Sequence, residues 1–76
     1  MINELDTVVL SHDVEAYGLE QGDIGAVVHV YNGEAAYEVE FVTGEGETVA
    51  VLTLTLEDIR PMSEREILHV RKLITA

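Results

Sequence analysis

The sequence predicts a mainly β protein. A small five-stranded barrel occupies residues 1–62, and a helical extension with a short C-terminal α-helix occupies residues 63–76. Three observations predict this. Segments rich in β-branched residues recur at short intervals as far as about residue 60, which is the composition that fits a pleated, half-buried surface. Glycine-containing turns separate them. After Pro61 the apolar residues change period, from every second position to every third and fourth. A chain of 76 residues has room for one domain, and closing a sheet into a barrel removes the edges that so small a sheet otherwise exposes; a four- or five-stranded open meander with the helix packed across it is the alternative.

Taken in order, Leu5–Leu10 (LDTVVL) reads as a first strand. Ser11–Gly22 is polar and broken by Gly18 and Gly22, long enough to be a functional loop rather than a simple connection. Ile24–Tyr31 (IGAVVHVY) reads as a second strand, in which Gly25 signals a bulge or a close approach of another backbone. Asn32-Gly33 predicts a two-residue type I′ turn, because both residues tolerate the positive φ that this turn requires. Ala35–Val42 returns as a third strand with Tyr37, Val39 and Phe41 on one face and Glu38 and Glu40 on the other. Thr48–Leu56 (TVAVLTLTL) is a fourth strand, so continuously apolar and β-branched that both its faces are expected to be covered. Glu57–Pro61 is a tight turn leading into a short last strand, with Pro61 at an edge or end because it lacks an N–H.

Ser63-Glu64-Arg65-Glu66 then fits a capping box, in which a Ser hydroxyl and a Glu three residues later satisfy each other's backbone N–H groups. Ile67, Val70 and Ile74 follow at helical spacing, with Leu68 and Leu73 widening the stripe. These features predict a helix over Glu64–Ile74.

Charge narrows the function. The chain carries 15 acidic and 4 basic residues, net −11. Residues 1–59 hold thirteen acids and neither Lys nor Arg, whereas residues 60–76 hold two acids and all four bases, Arg60, Arg65, Arg71 and Lys72. Binding to phosphate backbones requires Lys and Arg to displace counterions, so nucleic acid is not expected as a partner. Anionic membrane surfaces are excluded on the same ground. The absence of cysteine removes disulfides and thiolate metal sites and suits a reducing compartment. Together with an N-terminus that lacks a signal-peptide pattern, this predicts a cytoplasmic protein.

Motifs for catalysis and metal binding are weak. His12, His29 and His69 lie in a loop, a strand and the expected helix, with no HxH or HExxH spacing. The acids of the Glu45-Gly46-Glu47 turn and of the 11–23 loop do not follow the alternating pattern of a calcium loop. Ser11-His12-Asp13 contains the residue types of a nucleophilic triad, but neighbours along one chain segment do not provide the three-dimensional line of nucleophile, base and orienting acid. No enzyme, metal or cofactor is expected.

The ordered combination of Leu5–Leu10, Gly18-Leu19-Glu20-Gln21-Gly22-Asp23-Ile24-Gly25-Ala26-Val27-Val28, Tyr37-Glu38-Val39-Glu40-Phe41 and Ile59-Arg60-Pro61 resembles a family of short bacterial proteins catalogued as a domain of unknown function with an SH3-like, KOW-like barrel. The shared element is Gly-Asp-x-Gly-x-Val, and the resemblance covers about residues 1–62. It implies the fold and brings no catalytic residues. KOW domains generally bind RNA or ribosomal and transcription proteins through basic and aromatic loops, where this chain has Glu, Asp and Gly.

The function expected is therefore an acidic, non-enzymatic protein-interaction module. Its outer face, built by Glu34, Glu38, Glu40, Glu45 and Glu47 with Tyr17 and Tyr31 nearby, would attract a basic protein. Charge and size suit the antidote half of an antitoxin or immunity pair. The alternatives are an accessory or regulatory subunit of a larger enzyme, docking through apolar loop residues such as Val14, Tyr17, Leu19 and Tyr31, and, ranked lower, a KOW-like nucleic-acid-associated protein. The C-terminal helix, through Arg65, Ile67, Val70, Arg71 and Ile74, is expected to contact either its own barrel or a second copy in a homo-oligomer.

Overall fold

Residues that alternate between apolar and polar can bury one face of a strand only if something covers it. In the computed structural model, which describes residues 2–73, the strands bury that face in one shared core. Five strands form one antiparallel sheet: β1 (Thr7–Leu10), β2 (Ile24–Val30), β3 (Tyr37–Val42), β4 (Thr48–Leu54) and β5 (Ile59–Pro61). Their spatial order is β4-β3-β2-β1-β5. Val8 and Leu10 of β1, Val27 of β2, Tyr37, Val39 and Phe41 of β3, Ala50 and Leu54 of β4 and Ile59 of β5 all belong to one buried cluster. No α-helix covers the sheet among the described residues, and the buried side chains of all five strands share that cluster with Ile2 and Leu19 from outside the strands. No ladder joins β4 to β5 among the described residues.

The alternation of β3 is reproduced residue by residue: Tyr37, Val39 and Phe41 are buried and Glu38 and Glu40 half-buried on the outside. Gly25 marks a close approach, as its position in a strand suggested. A Cβ there would lie 2.6 Å from Val39 Cγ1 and 2.9 Å from Phe41 Cε1. The irregularity in β2 lies elsewhere, between Val27 and His29.

Four expectations are corrected. The first strand begins at Thr7, because residues 3–6 form a turn in which Asp6 Oδ2 accepts from the Asn3 N–H at 2.8 Å. The β2–β3 connection is not a two-residue type I′ turn. It runs from Tyr31 to Ala36, with the Tyr31 N–H donating to the Ala36 carbonyl at 3.0 Å. Within it only Gly33 has a positive φ, 74°, and a type I′ turn needs two. β4 is covered on one face only, since Val51 and Thr53 are exposed.

The fourth correction is the helix. Residues 63–73 contain no α-helix. The first half of the capping box does form, with Glu66 Oε1 accepting from the Ser63 N–H at 2.7 Å. The same carboxylate is clamped by Arg60 of β5 at 2.8 and 2.7 Å, and the chain leaves the turn extended. An isolated helix shorter than about 12–15 residues is marginal in water, and here most of the would-be apolar stripe is uncovered among the described residues: Ile67 and Val70 are 84% and 99% exposed, and only Leu73 is half-buried. Ile74 lies outside the described residues.

Candidate functional site

The long loop between β1 and β2 is built from its own carboxylates. Asp13 Oδ1 accepts from the Gln21 N–H and Asp23 Oδ2 from the Glu20 N–H, both at 2.8 Å. Gly18, at φ 70°, turns the chain, and a bridge between Val14 and Leu19 inserts Leu19 into the core. Leu19 is therefore packed into the core, with the half-buried Val14 against it and one side of Leu19 lining a groove described below.

Two arrangements of charged groups result. The first is the outer face of β2, β3 and β4. Cross-strand register places Glu38 between His29 and Thr53, and Glu40 between Ala26 and Val51. The Thr53 hydroxyl donates to Glu38 Oε1, and the Thr48 hydroxyl donates to Glu40 Oε2 at 2.7 Å. Among the described residues the second oxygen of each carboxylate has no hydrogen-bond partner, and both carboxylates lean towards β4, whose other edge is unpaired among the same residues. His29 stacks edge-on against Tyr31, with ring centroids 4.7 Å apart, and its Nδ1 lies 3.9 Å from Glu4. Exposed Val28 and Val51 complete the face. Glu45 and Glu47 occupy the exposed β3–β4 turn, and Glu34 ends the Asn32–Glu34 turn between β2 and β3. Of the residues singled out from sequence, Glu38, Glu40 and Tyr31 thus come together on one sheet face. Tyr17, half exposed in the 11–23 loop, does not join them.

The second arrangement was not visible in the sequence. Arg71, expected on the polar side of a helix, lies extended against the 11–23 loop. Its Nε donates to Asp23 Oδ1 at 2.8 Å and its Nη2 to Asp23 Oδ2 at 2.5 Å, while Nη2 also donates to the Gly18 carbonyl at 2.8 Å. Glu20 lies 3.7 Å from Nη1. Burial alone would raise the Asp23 carboxyl, but the guanidinium and the Glu20 N–H outweigh it and hold the group below its ordinary value. Beside this seat runs a groove of about 330 Å³ between the body residues Leu19, Phe41 and Val49 and the tail residues Val70 and Leu73. Arg65 makes no such contact among the described residues; its N–H donates to the Ser63 hydroxyl in the turn after β5.

The Ser11-His12-Asp13 triplet is also organised differently from a triad. His12 Nδ1 faces the Asp13 carbonyl at 2.9 Å and Nε2 faces Asp58 Oδ1 at 2.7 Å. Both partners are acceptors, so the doubly protonated ring satisfies both, and the Asp13 carbonyl and then Asp58 raise its pKa. When protonated, the ring pairs with Asp58 as an ion pair. Among the described residues, no group of three or more His, Asp or Glu side chains converges as a metal cradle, and no helix is long and apolar enough to cross a membrane.

A family model described as Domain of unknown function (DUF4926) matches residues 4–61, and the chain belongs to that family. The match ends with β5 and leaves out the stretch that carries Arg71. No curated protein and no solved structure matches the chain.

Proposed function

We propose that this member of the DUF4926 family is an acidic, non-enzymatic module that binds a basic protein. The observation that carries the reading is the outer face of β2–β4. There Glu38 and Glu40 are oriented by threonine hydroxyls while each keeps a second acceptor oxygen with no hydrogen-bond partner among the described residues, on a body with no Lys or Arg before Arg60. Carboxylates already oriented lose less side-chain entropy when a cation pairs with them. The field of the acid excess on residues 1–59, thirteen acids of which Asp23 is paired with Arg71, is of order several kT at the surface and accelerates encounter with a basic partner. An antidote role, in which the module occupies the basic groove of an antitoxin's or immunity protein's target in the cytoplasm, follows from the same charge and size.

The reading takes the five-stranded sheet as an SH3-like barrel. The order β4-β3-β2-β1-β5 and the single core shared by all five strands support it. An accessory subunit docking through apolar loops is less well supported, because Leu19 is committed to the core.

The test is the double variant Glu38→Gln, Glu40→Gln with a captured basic partner. Exposed ion pairs contribute about 0.2–1 kcal/mol each, so affinity falls by a factor of about 2 to 30. Equal affinity for the variant and the wild type removes this face from the interface.

A further inference from the structure

The stretch after β5 is attached to the body in an economical way. From Ser63 onward, among the described residues, the only backbone–backbone hydrogen bond lies inside its own turn, from the Glu66 N–H to the Ser63 carbonyl. Ile67, Leu68 and Val70 are 84%, 63% and 99% exposed. A segment that belonged permanently to the core would bury such side chains. Beyond the Arg60–Glu66 clamp at its start, this one is held by the Arg71 guanidinium, with the half-buried Leu73 beside it.

The seat that holds Arg71 suits an arginine in particular. Asp23 accepts two parallel N–H bonds from the planar fork, the Gly18 carbonyl accepts a further N–H, and Glu20 adds negative charge. A lysine ammonium has no such fork. The body's own bonds hold the seat together without the tail: Asp23 Oδ2 accepts from the Glu20 N–H, and the Gly18 N–H donates to the Glu15 carbonyl at 3.1 Å. The groove over Leu19, Phe41 and Val49 places an apolar receptor next to it, two residues along the tail, where Leu73 lies.

We propose that the tail is a latch: Arg71 occupies, from within the chain, the seat that takes an arginine of the basic partner, and binding exchanges one arginine for the other. The inference rests on the reading of a basic partner and specifies what that partner presents, an arginine followed two residues later by an apolar side chain. An occupied seat lowers the apparent affinity by the fraction of molecules in which it is open, so release of the tail increases affinity.

The experiment uses the full-length chain and a fluorescein-labelled peptide, Gly-Val-Arg-Lys-Leu-Ile-Gly, with binding read by fluorescence anisotropy at fixed ionic strength. Arg71→Ala binds the peptide at least about tenfold more tightly than wild type, as expected for a seat closed in nine molecules of ten. Lys72→Ala, which makes the same change in net charge, binds as wild type does. Adding Asp23→Asn to Arg71→Ala abolishes the gain. Asn retains a carbonyl for the Glu20 N–H, and a thermal melt of each variant verifies folding. Replacing the peptide's arginine by lysine also abolishes the gain. The latch is overturned if Arg71→Ala binds no better than Lys72→Ala, or if the gain survives Asp23→Asn. Salt-sensitive binding of equal strength by every variant overturns the latch and leaves the acidic-module reading standing. Absence of binding by any variant overturns the latch as well.

Discussion

Two residues of this chain sit where sequence preference and local geometry pull in opposite directions, and each has a measurable consequence. Leu5 has φ 73° and is 85% exposed. A non-glycine side chain in that region costs about 1–2 kcal/mol, and its burial returns nothing here, so Leu5→Gly raises stability by up to about 1 kcal/mol in denaturant unfolding after glycine's own entropic cost is deducted. Gly25 is the reverse case. Val39 and Phe41 leave no room for a methyl group, so Gly25→Ala destabilises by about 1–3 kcal/mol, a substantial share of the roughly 4–11 kcal/mol expected for a domain of this length. A neutral Gly25→Ala would show that β2 and β3 do not approach as closely as described. Gly25 was legible in the sequence, because a glycine inside a β-branched run has few other uses. Leu5 was not, because no feature of LDTVVL distinguishes a left-handed turn residue from the first residue of a strand.

At the level of elements, the long loop and the last turn are joined by one pair. His12 Nε2 and Asp58 Oδ1 tie the exit of β1 to the turn between β4 and β5. Asp58 also accepts from the Thr55 N–H at 2.9 Å, and that bond, followed by the one from His12, holds its pKa below the ordinary 3.8. His12 lies above its ordinary 6.5. For the histidine, whose folded pKa is raised, the contribution is complete below 6.5 and is lost as pH rises through the folded value. For the aspartate, whose folded pKa is lowered, it is complete above 3.8 and is lost as pH falls through the folded value. The pair is therefore at full strength between these limits. Thermal unfolding of wild type and His12→Gln differs most between pH 3.8 and 6.5, and the two curves converge on the alkaline side. A difference that persisted unchanged to high pH would show that His12 acts through packing and not through charge.

The elements also show where the sequence was sufficient and where it was not. The alternation Tyr37-Glu38-Val39-Glu40-Phe41 specified both the strand and its faces, since a period of two fits no other regular structure. The tail had an equally regular pattern over residues 67–74, and its described part, residues 67–73, contains no helix. Helical periodicity becomes structure only when the apolar stripe has a surface to cover, and Arg71 is bound 48 residues away in sequence, on Asp23. That pairing is tertiary, and no local rule foresees it. The turn at Asn32 failed for a related reason. Pairing of Val30 with Tyr37 sets the loop length, and the two-residue preference of Asn-Gly yields to it.

For the molecule as a whole, the distribution of charge matters more than its total. Every strand contributes to one core, and what remains outside on residues 1–59 is acidic or neutral apart from the histidines. Arg60 is turned onto Glu66, pulling that carboxyl down to about 2, and Arg71 onto Asp23. Two of the four basic side chains are thus used internally, and among the described residues no Lys or Arg forms an ion pair with Glu38 or Glu40. Affinity capture of the tagged full-length protein from cells of its native source, at about 0.05 M salt followed by a step to about 0.5 M, tests this account most directly. The account predicts recovery of a basic protein with pI above about 9 that elutes at the salt step and is lost with Glu38→Gln, Glu40→Gln. Recovery of its own copies alone, or of a partner that stays bound through the salt step and binds the variant equally well, would contradict it.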